Sequence, residues 1–205
     1  ISDSQRELID LGIVCLVMVA VFIWRLTSLS DFPLRDDELI SLATSKSIAE
    51  TGVPLKGGGL YWRSLLGSYL LAIPALLGFD SLNAIRTVAV FFSALTLPLA
   101  FYLARKLGGR IAAYLAIVFL SVSTFQGYIG TFARFYQPFQ FFFTLSLLLI
   151  GSYFFCNRSP RSMLFFFFAN LNLHHFSVQL APLFIWGGIC TKRLDLWRST
   201  KTWLW

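Results

Sequence analysis

Long apolar runs separated by short polar ones dominate the chain, and their lengths set the first expectation. Residues 11–24 are uninterrupted apolar between Asp10 and Arg25. At 1.5 Å per residue they rise about 21 Å, short of a hydrocarbon core of about 30 Å. A helix over 8–29 fills that distance if Asp10 and Arg25 reach toward opposite interfaces. Three further spans are predicted over 87–104, with Pro98 as a kink, over 111–128 and over 138–156. Residues 65–79 are also apolar enough to cross. A crossing there, however, would put the basic turn "ARKLGGR" (Arg105, Lys106, Arg110) outside, against the positive-inside rule. Residues 61–79 therefore read as an interfacial or re-entrant helix broken near Pro74. Residues 163–190 have Arg158 and Arg161 before them and Lys192 and Arg193 after them. A helical hairpin with both ends cytoplasmic satisfies those charges, and a single tilted helix is the alternative. The expected fold is all-α: one polytopic transmembrane bundle over 1–205, with an outer loop, 30–86, that carries interfacial helices.

Composition agrees. The chain is 57% hydrophobic and 13% charged, whereas soluble domains average about a quarter charged residues. The reading is a multi-pass integral membrane protein with a cytoplasmic N-terminus. A net charge of +7 would suggest nucleic acid in a soluble protein. Here ten of the 17 Lys and Arg but only four of the ten acids fall on the cytoplasmic side of the expected topology, and the other side is nearly neutral. Topology explains the basic excess, so nucleic acid is not needed as a partner. Cys15, Cys156 and Cys190 lie far apart in apolar stretches, without metal-ligand spacing. The first apolar run is followed by charged residues rather than a small-residue cleavage site, so it does not read as a cleavable signal.

The acids outside concentrate in one place, "RDDELISLATSKSIAETG" at 35–52. Asp36 is the predicted N-cap, Asp37 and Glu38 fall in the first turn where the macrodipole favours negative charge, and Gly52 and Pro54 end the helix. Leu39, Ile40, Leu42, Ala43, Ile48 and Ala49 form a loose apolar face suited to lying on a membrane. In the plainer reading these acids merely cap an interfacial helix. In the sharper one they form a reactive carboxylate cluster at the water–lipid boundary.

The order of blocks along the chain favours the second. "DDELISLATSKSIAETGVP", then "GGGLYWRSLLGSYLLAIPALLGFDSLNAIRTVAVFFSALTLPLAFYLARKLGG", then "GTFARFYQPFQFFFTLSLLL" resemble the N-terminal half of the GT-C superfamily of membrane glycosyltransferases. The likeness is to the branch of the protein O-mannosyltransferases, the lipid A aminoarabinose transferases and the bacterial Rgt-type sugar transferases. It covers about residues 8–190. Many relatives carry Lys-Pro-Pro or His-Pro-Pro where this chain has "LKGGGLYW", and family enzymes are usually much longer. The chain is therefore expected to be a fragment of a longer one.

The resemblance implies transfer of a sugar from a polyprenyl-phosphate carrier to a lipid, glycan or protein acceptor, in a bacterial inner membrane, on its non-cytoplasmic face. It implies Asp37 as the catalytic base and acceptor-orienting group, with Asp36 as rival and Glu38 in support. A carboxylate is a weak base toward an alcohol, so Asp37 would first orient the acceptor oxygen and take its proton late. The leaving phosphate needs charge stabilisation more than protonation. Arg134, with Tyr136 as polar neighbour, is the first candidate, followed by Arg86, Arg63 and Lys56; taken singly, each could equally be a cation snorkelling to headgroups. His174 and His175, beside Asn170 and Asn172, form a candidate polar pocket or hairpin tip rather than a metal site. No cofactor is required, and a divalent ion is left open. The alternatives are a non-catalytic membrane subunit and, less favoured, a small transporter. The topology makes a direct expectation: a cysteine placed at position 36 should react with a membrane-impermeant maleimide from the non-cytoplasmic side, and labelling from the cytosol alone would overturn the reading.

Overall fold

The computed structural model of the chain describes residues 2–152. The expected segment 163–190, with His174 and His175, lies outside the described residues. What is described is mostly helical. Two helices, α1 (Asp3–Thr27) and α4 (Leu82–Val122), are long and apolar enough to cross a membrane. Between them lie α2 (Asp36–Thr51), a two-stranded hairpin of β1 (Leu55–Lys56) and β2 (Gly59–Leu60), and α3 (Leu65–Leu76). After them come α5 (Thr124–Thr131) and α6 (Tyr136–Ser152).

Helix α1 starts on a capping box: the Ser2 hydroxyl accepts from Gln5 N, and Ser2 N donates to the Gln5 side chain. Its Asp10 and Arg25 do not reach for opposite interfaces as the sequence suggested. Both turn inward. Asp10 is buried and takes bonds from Arg105 Nη1 at 3.1 Å, Arg110 Nη2 at 2.6 Å and the Tyr114 hydroxyl at 2.5 Å. Arg25, only 2% exposed, donates to Ser93 Oγ and, at 3.0 Å, to the carbonyl of Leu120. An interior charge needs partners more than it needs an exit, and a facing helix supplies them.

These two contacts define α4. Its backbone leaves helical geometry at Gly109 (φ 79°, ψ −171°), a conformation that only glycine adopts without strain. One end of α1 touches Arg105 and Arg110 on either side of that glycine, and the other end touches Ser93 and Leu120. The chain therefore reverses at Gly109 into a helical hairpin, with arms 82–108 and 110–122 flanking α1. Val14 of α1 meets Phe101, Ala113 and Ile117 from both arms in a shared core. The first arm starts earlier than the expected 87–104. The second stops at Val122, not at 128, because Ser123 leaves the helix and caps α5 by accepting from Gln126 N.

Other expectations change as well. Helix α3 continues through Pro74 to Leu76: so near the C-terminal end, a missing N–H removes one bond without ending the helix. Arg35, not Asp36, is the N-cap of α2, with no side-chain cap bond. Gly52 does close the helix, in the left-handed region with its N–H on the Ile48 carbonyl at 2.9 Å. The buried stripe of α2 is Glu38, Ser41, Thr44, Ser45 and Ile48, whereas Leu39 is 45% exposed and Ala43 and Ala49 also face outward. The expected apolar face is thus divided: Leu39, Ala43 and Ala49 point outward, while Ile48 is buried and Leu42 packs on the core, and the polar stripe lies along α3, whose Gly67, Ser68 and Ala72 are buried. Small residues let two such helices approach closely. Leu71 of α3 joins Ile85, Val88 and Phe92 of α4 and Ala133 in a second core, over which Phe141 and Phe142 of α6 pack.

Gly130 of α5 sits against the Arg25 contact: a Cβ there would come within 2.8 Å of Arg25 Nη1 and 2.9 Å of Ser93 Oγ. Gly130→Ala should therefore displace the guanidinium and destabilise the bundle by about 1–3 kcal/mol. A thermal unfolding midpoint in detergent that equals the wild type's would show the contact to be slack.

Candidate active site

Three consecutive acids at the start of α2 point in different directions, as successive helical residues must, about 100° apart. Glu38 goes inward and is fully buried. Its Oε1 accepts from Arg86 Nε at 2.8 Å and from the backbone N–H of Ala133 at 2.9 Å, and its Oε2 from Arg86 Nη2 at 2.6 Å. The remaining N–H groups of Arg86 go to the carbonyls of Leu29 and Phe32, at 2.8 and 3.0 Å, and of Pro33 at 3.1 Å. All five guanidinium donors are thus engaged. One ion pair ties together the turn at 29–33, the start of α2, the first arm of α4 and the α5–α6 junction.

Asp37 lies on the next face, with its side chain 49% exposed and Oδ1 3.2 Å from Arg134 Nη2. Arg134 itself is buried; its Nη1 reaches the Asp37 carbonyl at 3.2 Å and, more loosely, the Tyr61 hydroxyl at 3.4 Å. Its Nε has no partner. Beside it is a small cavity of about 10 Å³, lined by polar groups of Arg134, Ser41, Thr44, Tyr61 and Ser68 and by the apolar Leu71 and Phe135, with room for about one water.

Asp36 and Asp37 also line a second, open space, a cleft of about 840 Å³. Its other walls are Pro33, Leu34 and Arg35 from the turn before α2, and Tyr128, Ile129, Phe132 and Tyr136 from α5 and the start of α6. The last three aromatics recur every four residues and stack in sequence. Tyr128 lies 5.7 Å from Phe132, and Phe132 lies 6.0 Å from Tyr136, with ring planes 23° and 11° apart. Arg35 places its guanidinium carbon 4.8 Å from the centre of the Tyr128 ring. Carboxylates thus stand near an aromatic wall. Such a cleft can accept hydroxyl hydrogens on one side and cover an apolar ring face on the other.

The structure sorts the expected site residues. Asp36, Asp37 and Tyr136 come together in the cleft. Glu38 does not reach it and serves the buried pair. Arg86 is corrected: with every donor engaged inside the bundle, it has none for a phosphate. Arg134 is corrected in part, because its terminal nitrogens are turned to Asp37 and Tyr61 and it does not line the cleft. Lys56 and Arg63 are exposed, on β1 and just before α3, and neither lines the cleft. Among the described residues no group of three or more His, Cys, Asp or Glu is placed to hold a metal ion. Arg35, Tyr61, Tyr128 and Phe132 are site residues the sequence reading did not single out. The four-residue recurrence of Tyr128, Phe132 and Tyr136 is the signal that would have found the wall.

Fold and site together define a helical protein with membrane-length helices and an acidic, aromatic cleft at the Glu38 end of its bundle. No family model, curated protein or solved structure matches the chain.

The buried pair has a measurable signature. Removing one partner of a buried ion pair costs about 3–5 kcal/mol, while replacing both with apolar groups of similar volume is often neutral. Glu38→Leu or Arg86→Met alone should therefore lower the unfolding midpoint strongly, and the double variant should recover part of the loss. Additive losses in that cycle would mean the two charges are not coupled.

Proposed function

We propose that the protein is a multi-pass glycosyltransferase of a bacterial inner membrane. It moves a sugar from a polyprenyl-phosphate-linked donor to an acceptor on the non-cytoplasmic face. The observation that carries this reading is the cleft itself: a half-exposed Asp37, held by Arg134, near a wall of three stacked aromatic rings. The resemblance of the surrounding blocks to the GT-C superfamily supports it, as do the apolar lengths of α1 and α4.

In this mechanism Arg134 takes Oδ1 of Asp37 and leaves Oδ2 to accept a hydrogen bond from the acceptor hydroxyl. The acceptor oxygen attacks the anomeric carbon in line with the bond to phosphate. The C–O bond breaks as the new one forms, polyprenyl phosphate departs with the electron pair, and the acceptor proton passes late to Asp37. The aromatic wall covers one face of the sugar ring and keeps water from competing. A second reading, a non-catalytic membrane subunit, draws on the same ion pair, since an Asp already paired to a buried Arg can be structural.

Asp37→Asn separates the two. In membranes supplied with a panel of radiolabelled polyprenyl-phosphate sugars, transfer by the wild type should fall by about 10²–10⁴-fold in the variant. Turnover unchanged in Asp37→Asn would remove the residue from the chemistry. Donor binding by the wild type without any turnover would favour the subunit.

A further inference from the structure

Of the cations expected to meet the donor's phosphate, Arg86 and Arg134 are engaged elsewhere and Lys56 and Arg63 do not line the cleft, which leaves it with a charge problem. Asp36 and Asp37 line it, and a phosphate brought beside two carboxylates needs a local cation. Among the residues lining the cleft there is one, Arg35. Its side chain is exposed, and among the described residues no acid is paired with it.

The backbone explains why Arg35 stays clear of its acidic neighbours. As N-cap it is extended (φ −121°, ψ 152°) while Asp36 and Asp37 are already helical, so its side chain leaves in another direction and settles over Tyr128. A guanidinium held over a ring face is positioned by that face and keeps its N–H groups for a ligand. Beside it, Pro33 and Leu34 make the same rim apolar, and Leu34 is exposed. Cation, aromatic ring and apolar rim together suit an anionic headgroup carried on a hydrocarbon chain.

We propose that Arg35 receives the phosphate of the polyprenyl-phosphate donor, in the position the sequence suggested for Arg134 or Arg86. This rests on the glycosyltransferase reading. The phosphate then lies at the Tyr128 end of the cleft, and the sugar extends along Phe132 and Tyr136 toward Asp37.

The test compares binding of undecaprenyl phosphate and undecaprenol, which differ only in the phosphate, to the full chain in nanodiscs of neutral lipid. Wild type should prefer the phosphate. Arg35→Ala should lose on the order of 10- to 100-fold of that preference, as expected for charge-assisted hydrogen bonds, and Arg35→Lys should keep part of it. Lys46→Ala serves as the control, because Lys46 is a surface cation paired with Asp80 and does not line the cleft. It should bind like wild type. If Arg35→Ala keeps the full preference, or if Lys46→Ala loses as much, the assignment of Arg35 falls while the glycosyltransferase reading stands. If wild type itself does not distinguish phosphate from alcohol, both fall.

Discussion

A buried carboxylate facing a buried guanidinium cannot be half made. Glu38 and Arg86 are both almost fully buried, and each has its hydrogen-bonding capacity taken up by the other and by backbone groups. The pair therefore demands one arrangement of four segments at once. The turn at 29–33 must offer three carbonyls, α2 must begin where Glu38 faces inward, α4 must place Arg86 opposite, and Ala133 must offer its N–H. Any shift of one segment leaves an unpaired polar group in an apolar interior. Such a pair need not add net stability, since apolar residues of equal volume in both places often hold a fold as well.

The cleft follows from that constraint. With Glu38 fixed inward, the helical turn sends Asp37 and Asp36 to the opening. With Ala133 fixed, Arg134 is delivered to Asp37, and Tyr128, Phe132 and Tyr136 are brought into line across the junction of α5 and α6. The three acids that look equivalent in the sequence thus have different tasks: one locks the fold, one is held half-exposed by a buried arginine, and one lines the opening.

The same logic operates toward both ends of α1. Asp10 gathers Arg105, Arg110 and Tyr114 around the reversal at Gly109, and Arg25 joins Ser93 to the Leu120 carbonyl, so one helix is pinned to both arms of the hairpin. Where neighbouring surfaces are uniformly apolar, side-chain hydrophobicity alone does not choose a register, because one greasy contact resembles the next. Inward charges with dedicated partners do choose one. Gly130 belongs to this arrangement, because the space a side chain would fill there holds the Arg25 contact.

The all-α class, the presence of membrane-length helices, the helix over 36–51 with its glycine stop, and the turn at "ARKLGGR" were legible from hydropathy, caps and charge, because those signals are local. So was the acidic cluster that places Asp36 and Asp37 together at the start of that helix, where both line the cleft. Partner choice was not legible: a sequence shows that Asp10, Arg25, Glu38 and Arg86 are charged, but not that Glu38 meets Arg86, Arg25 meets Ser93 and Asp10 meets Arg110, at separations of 48, 68 and 100 residues. The inward face of α2 was not legible for a related reason. An amphipathic rule assumes water outside and apolar contact inside, whereas this helix turns serines and a glutamate inward. Chain-local physics determined which segments are helices and where the acids lie. Only tertiary structure decided which charges are used up in holding the bundle and which are left for a ligand, because that depends on distances between groups remote in sequence.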